Sequence, residues 1–112
     1  MLLTKEQIND ATIIHCEGRL DATTTIKLEN SINQLVDNKN LRIIVDFNKI
    51  DYLSSAGMRL LLSMTKRLKS INGQLVLCAI HDDVMEIIKM AGFEQILNIY
   101  YSQDDALRIC GS

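Results

Sequence analysis

The sequence contains no apolar run near the roughly 18 residues that suggest a membrane span, so direct membrane insertion is not expected. Its opening, Met-Leu-Leu-Thr-Lys-Glu, lacks the profile of a signal peptide. Cysteine is sparse: Cys16, Cys78 and Cys110 are odd in number, far apart and set in apolar surroundings, with no CxxC spacing and no nearby histidine pair. That pattern argues against a disulfide framework or a zinc site and reads as three buried small hydrophobes in a reducing, cytoplasmic setting. There is also no excess of base. Twelve Lys and Arg are scattered among fourteen Asp and Glu, for a formal net charge of -2, which gives no electrostatic footprint for nucleic acid. No glycine-rich phosphate loop is present, so neither nucleotide affinity nor a cofactor is expected. Repeats, linkers and low-complexity segments are missing too, and 112 residues suffice for one packed core and not for two.

What is present alternates between strand and helix patterns. Residues 11–17 (ATIIHCE) are β-rich and end at Gly18, and residues 2–9 read as a weaker strand that turns at Asn9-Asp10 to form an antiparallel pair with them. Over residues 24–37, Leu28, Ile32, Leu35 and Val36 recur at helical spacing behind capping side chains at 21–25. Residues 41–47 (LRIIVDF) have the near-continuous apolar run of a central strand covered on both faces. Met58, Leu61, Leu62, Thr65 and Leu68 then trace one helical face, with Arg59, Lys66, Arg67 and Lys69 largely on the other, until Asn72-Gly73. A buried strand at 74–79 follows, then a short helix with Val84, Ile87, Ile88 and Ala91 inward and Gly92 as its stop. A strand at 96–100 and a last helix begun by Ser102 complete the pattern. This order predicts an α/β fold: a mixed, mostly parallel sheet of about five strands flanked by about four α-helices, joined by right-handed crossovers.

In such sheets function gathers beyond the carboxyl ends of the strands, where loops enter helix N-termini. Residues 48–58, which follow the central strand, place Ser54 and Ser55 at such a position. A serine there can cap the helix, and a phosphate there is tolerated by the positive end of the helix dipole. Local sequence leaves Ser55 either a simple cap or a phosphoacceptor, and Ser54 either a structural residue or the alternative acceptor. Asp21, with the Ala22-Thr23-Thr24 segment, follows another strand's carboxyl end and serves either as a cap or as part of a docking surface beside Ser55. A hydrolase nucleophile elbow would need Gly-x-Ser-x-Gly, but Leu53 stands at the first glycine's place and neither His15 nor His81 belongs to a recognisable triad. Asp82, Asp83 and Glu86 read as an acidic helix start without a metal, and Lys66, Arg67 and Lys69 as a solvated face.

The segment DYLSSAGMRLLL closely resembles the Asp-Ser-Ser/Ala-Gly-Leu-Gly segment of the STAS domain family, shared by anti-sigma factor antagonists and sulfate-transporter tails. Gly18-Arg19-Leu20-Asp21 is similar to the family's Gly-Glu-Leu-Asp segment, and Gly73-Gln74-Leu75-Val76-Leu77 through Met90-Ala91-Gly92-Phe93 to its later strand and helix pair, so the resemblance extends over nearly the whole chain as one STAS domain, 1–112. It implies that Ser55 is the phosphorylated serine, with Ser54 in place of the usual aspartate, Ala56 and Gly57 following, and Arg59 where the family often has a second glycine. It further implies an anti-sigma factor antagonist that is not an enzyme. The unphosphorylated chain binds an anti-sigma factor that is also a serine kinase and so frees a sigma factor; phosphorylation of Ser55 then releases the complex, and a serine phosphatase resets it. Asp21, Thr23, Ser54, Ser55, Ala56, Met58 and Arg59 are the expected partner-binding residues. The competing reading is a constitutive STAS adaptor of a transporter or signalling scaffold, never phosphorylated.

Overall fold

A computed structural model describes residues 1–110 of the chain. The elements are β1 (Leu2–Ile8), β2 (Ala11–Leu20), α1 (Thr25–Asp37), β3 (Arg42–Leu53), α2 (Ser55–Ser70), β4 (Gln74–Cys78), α3 (Asp82–Met90), β5 (Ile99–Tyr100) and α4 (Gln103–Cys110). The strands lie side by side in chain order, with β1 antiparallel to β2 and every other pair parallel. Asn9, at φ 54°, makes the tight reversal between β1 and β2, a left-handed conformation that asparagine adopts more readily than most residues. The expected mixed, mostly parallel sheet with four helices is therefore what the chain forms.

Parallel neighbours need crossovers, and right-handed crossovers that always advance in one direction stack their helices on one face of the sheet. Leu28, Ile32 and Leu35 of α1, Leu61, Met64 and Leu68 of α2, and Val84 and Ile88 of α3 accordingly share one core with Ile43, Val45 and Phe47 of β3. The alternate strand residues Ile13, Ile44, Val76 and Cys78 point the other way and pack with Ala106 and Cys110 of α4. Cover on both faces explains the apolar runs Ile43-Ile44-Val45 in β3 and Leu75-Val76-Leu77-Cys78 in β4. The three cysteines are buried and unpaired, and burial pushes their thiols up to about 12 for Cys16 and Cys78 and about 11 for Cys110. They are the small hydrophobes that their spacing indicated.

Three expectations need correction. The central strand does not stop at residue 47: β3 continues to Leu53 and β2 continues past Gly18 to Leu20, so the stretch read as a loop before the serines is mostly strand. Conversely, the last strand is only Ile99–Tyr100, because Phe93 O accepts from the N–H groups of Ile96 and Leu97 and folds that stretch into a turn which delivers Leu97 to the core. Ala91 caps α3 from an exposed position and does not pack inward.

Candidate functional site at the tip of a two-stranded ribbon

The β3–β4 ladder ends at Asp46 opposite Cys78, whereas β2 and β3 stay paired through Leu20 opposite Leu53. Their last residues therefore form a ribbon that projects beyond the rest of the parallel sheet. Register shifts occur between His15 and Glu17 and between Gly18 and Arg19. The second leaves Asp51 without a cross-strand partner, so Ile50 and Leu53, three residues apart, are both buried. Arg19 lies 4.1 Å from the centroid of the Tyr52 ring directly opposite it, a cation–π contact that closes one side of the ribbon.

At the tip, Ser54 N donates to Leu20 O at 2.9 Å, which prolongs the pairing by one residue, and the chain then turns into α2. Ser54, extended at φ -86° and ψ 170°, is the N-cap: its Oγ accepts from Gly57 N at 3.1 Å, and its carbonyl accepts from Met58 N at 2.9 Å. Ser55 is therefore the first helical residue and not the cap, and its side chain is exposed. The cap function that local sequence offered to Ser55 is carried by its neighbour. The result is a hydroxyl in solvent at the positive end of a 16-residue helix.

Gly57 sets how closely α2 approaches the ribbon. A Cβ there would sit 2.9 Å from Leu53 Cδ1 and 3.0 Å from both Leu20 Cγ and the Leu20 carbonyl oxygen. Immediately after Leu20, Asp21 builds the turn into α1. Its Oδ1 accepts from Thr23 N and Thr24 N at 3.0 Å each, and the one proton of the Thr24 hydroxyl is shared between Arg19 O at 2.5 Å and Asp21 Oδ1 at 3.2 Å. The Thr24 N–H above all, then the Thr23 N–H, the Thr24 hydroxyl and the Arg19 charge hold the Asp21 carboxyl below its ordinary value, against an opposing push from desolvation. Asp21 thus has an internal task, and the exposed residues beside it are Ala22 and Thr23.

The seven residues singled out in the sequence divide by exposure. Ser55, Arg59 and Thr23 are exposed, Asp21, Ser54 and Ala56 are half-buried, and Met58 is 5% exposed within the main core. Met58 is a packing residue at the base of α2, and its helical spacing from Leu61 and Leu68 already placed it on the buried face. Ile26, 57% exposed in the first turn of α1, and Tyr52 on the ribbon were not singled out. An isolated apolar residue in a polar stretch gave Ile26 no signal, and the ribbon's extent hid Tyr52. Both histidines are engaged elsewhere. His15 lies 3.0 Å from Glu6 Oε1 and 3.5 Å from Asp46 Oδ2 on the sheet face that carries α4, and His81 bonds the Asn48 carbonyl.

The chain's residues 3–106 match the model of the STAS domain. It is 32% identical over 106 residues, 95% of this chain and 91% of the relative, to the Bordetella bronchiseptica protein BtrV, which is named as an anti-sigma factor antagonist. Among solved structures, an anti-sigma factor antagonist from Thermotoga maritima superposes with a TM-score of 0.90 at 13% identity, covering 98% of this chain and 95% of that one. Unphosphorylated SpoIIAA, an anti-sigma factor antagonist, superposes at 0.80 with 18% identity and coverage of 99% and 98%. Its phosphorylated form, from Bacillus, does so at 0.72 with 16% identity and coverage of 96% and 99%. The chain belongs to the STAS domain family, on the branch of the anti-sigma factor antagonists.

Proposed function

We propose that this chain, with residues 1–112 acting as one STAS domain, is a phosphorylation-controlled anti-sigma factor antagonist of the cytoplasm. In the unmodified state it binds an anti-sigma factor that is also a serine kinase, and a sigma factor is freed. The kinase then transfers the γ-phosphoryl group of ATP to Ser55 Oγ: the new O–P bond forms as the bond to ADP breaks, and the hydroxyl proton leaves to a base on the kinase. A serine phosphatase reverses the modification. The chain is the substrate throughout, and the catalytic groups belong to its partners.

The observation that carries this reading is the division of labour between the two serines. Ser54 satisfies the helix, so Ser55 Oγ is exposed and can be modified without removing the cap. A phosphate there adds about -1.5 to -2 charges to a surface that would otherwise pack against the partner, where desolvation and like-charge repulsion oppose binding. The helix itself tolerates the charge, because it sits at the positive end of the dipole. The modification switches the surface and leaves the fold intact.

Size-exclusion chromatography of the unmodified protein with the anti-sigma factor kinase of its own organism tests this. A stable complex that excludes the sigma factor is expected, and Ser55→Glu should prevent it. A kinase that stays bound to its sigma factor in excess unmodified protein would rule the function out.

A further inference from the structure

We propose that the outer face of α2 is the docking strip for an acidic surface of the anti-sigma factor kinase, with Ser55 at its leading end; this rests on the function proposed above. The helix carries Arg59, Lys66, Arg67 and Lys69 and not one Asp or Glu, in a chain whose net charge is -2. All four cations are exposed. The ion pairs among the described residues are His15 with Glu6, His15 with Asp46, and Arg108 with Asp105, so none of the four has a carboxylate at pairing distance. Among the described residues, Arg67 is the one of the four whose side chain has a hydrogen-bond partner, Asn33 of α1.

Helical spacing lines up the strip. Ser55, Arg59, Leu62 and Lys66 stand at i, i+4, i+7 and i+11, a row about 17 Å long on one side of the helix. Leu62 is half-buried within it and supplies apolar contact between the two cations. Each of the other three helices carries acids, Glu29 and Asp37 on α1, Asp82, Asp83 and Glu86 on α3 and Asp104 and Asp105 on α4, so a run of cations without acids is confined to α2. That shape suits a narrow acidic ridge on a protein. A nucleic acid or an anionic bilayer presents a broader negative surface, which the net charge of -2 on the chain opposes. Phosphate on Ser55 places its charge one turn from Arg59, neutralises the leading cation and repels the acidic partner from that end of the row. The site of modification and the direction of its effect follow from the same strip.

Binding of the unmodified protein to the kinase, measured by calorimetry at low and at high salt, tests the strip with Arg59→Glu, Lys66→Glu and, as a charge reversal elsewhere, Lys5→Glu on β1. Arg59→Glu and Lys66→Glu are each expected to weaken binding about tenfold or more and to flatten its salt dependence, while Lys5→Glu stays within about twofold. Circular dichroism should show the parent's thermal transition in Arg59→Glu and Lys66→Glu, whose side chains are exposed, and a transition close to it in Lys5→Glu, which gives up one exposed hydrogen bond to Gln34 at 3.3 Å. If both α2 reversals bind like the parent, the strip is not the docking surface, although the switch stands. If the parent neither binds the kinase nor is phosphorylated by it, the proposed function falls and the strip with it. Retention of the parent protein on duplex DNA or phosphatidylserine vesicles, lost in the two α2 variants, would overturn the assignment of a protein partner.

Discussion

Two adjacent serines divide one task between them. Ser54 closes the helix and Ser55 faces solvent, a distinction that hangs on a single position in where α2 begins. Hydrophobic periodicity locates a helix only to within a residue or two, so the sequence could nominate the pair but not order it. Asp21 shows the same limit in another form: its identity marked it as important, and only the structure shows three hydrogen bonds to the Thr23-Thr24 segment. Its carboxyl is held below the ordinary value of 3.8, so the native state binds this proton less readily than the unfolded chain does. The resulting stability is fully present above the ordinary value and is lost as pH falls through the lowered native one. Asp21→Asn should therefore be less thermostable than the parent near neutrality, with the gap closing as the pH is taken below 3.8; a gap that persists unchanged in acid would show that the charge of Asp21 has no part in the turn.

The elements meet at Gly57. Helix α2 touches the β2–β3 ribbon so closely that a methyl group would press on Leu53, the Leu20 side chain and, less yieldingly, the Leu20 carbonyl. Gly57→Ala gains about 1 kcal/mol of helix propensity but meets about 1–3 kcal/mol of overpacking. Because one of the obstacles is backbone, crowding should win, and chemical denaturation is expected to show net destabilisation of about 1 kcal/mol. An unchanged or higher midpoint would mean that the helix start shifts freely and that the ribbon does not fix Ser55. This contact was not legible beforehand, because the ribbon itself was not. In Asn48-Lys49-Ile50-Asp51-Tyr52-Leu53 the unpaired Asp51 spaces the buried residues three apart, which breaks the period of two that identifies a strand.

At the scale of the whole molecule the architecture was open to reading. The Ile43-Ile44-Val45 run marked the middle strand because a parallel sheet covered on both faces allows no polar alternation. The alternation of strands and helices behind an opening strand pair then fixed the mixed sheet, and the strands took their places in chain order. Interruptions of local pattern were hidden. The Phe93 turn converts an apolar stretch that resembles a strand into a loop, and Met58 joins the core although it lies within the motif expected to bind the partner. The cationic face of α2 could be seen as a composition, but its meaning depended on there being no carboxylate at pairing distance among the described residues, which only packed helices reveal. The fold thus brings an exposed hydroxyl and four exposed cations onto one helix.

Intact-mass analysis after incubation with ATP, magnesium and the anti-sigma factor kinase of the same organism tests this arrangement most directly, with Ser55→Ala and Ser54→Ala measured beside the parent. The switch predicts one phosphate on the parent and on Ser54→Ala and none on Ser55→Ala. A phosphate that persists in Ser55→Ala and disappears in Ser54→Ala, or no phosphate on a parent that binds an active kinase stably, would contradict it.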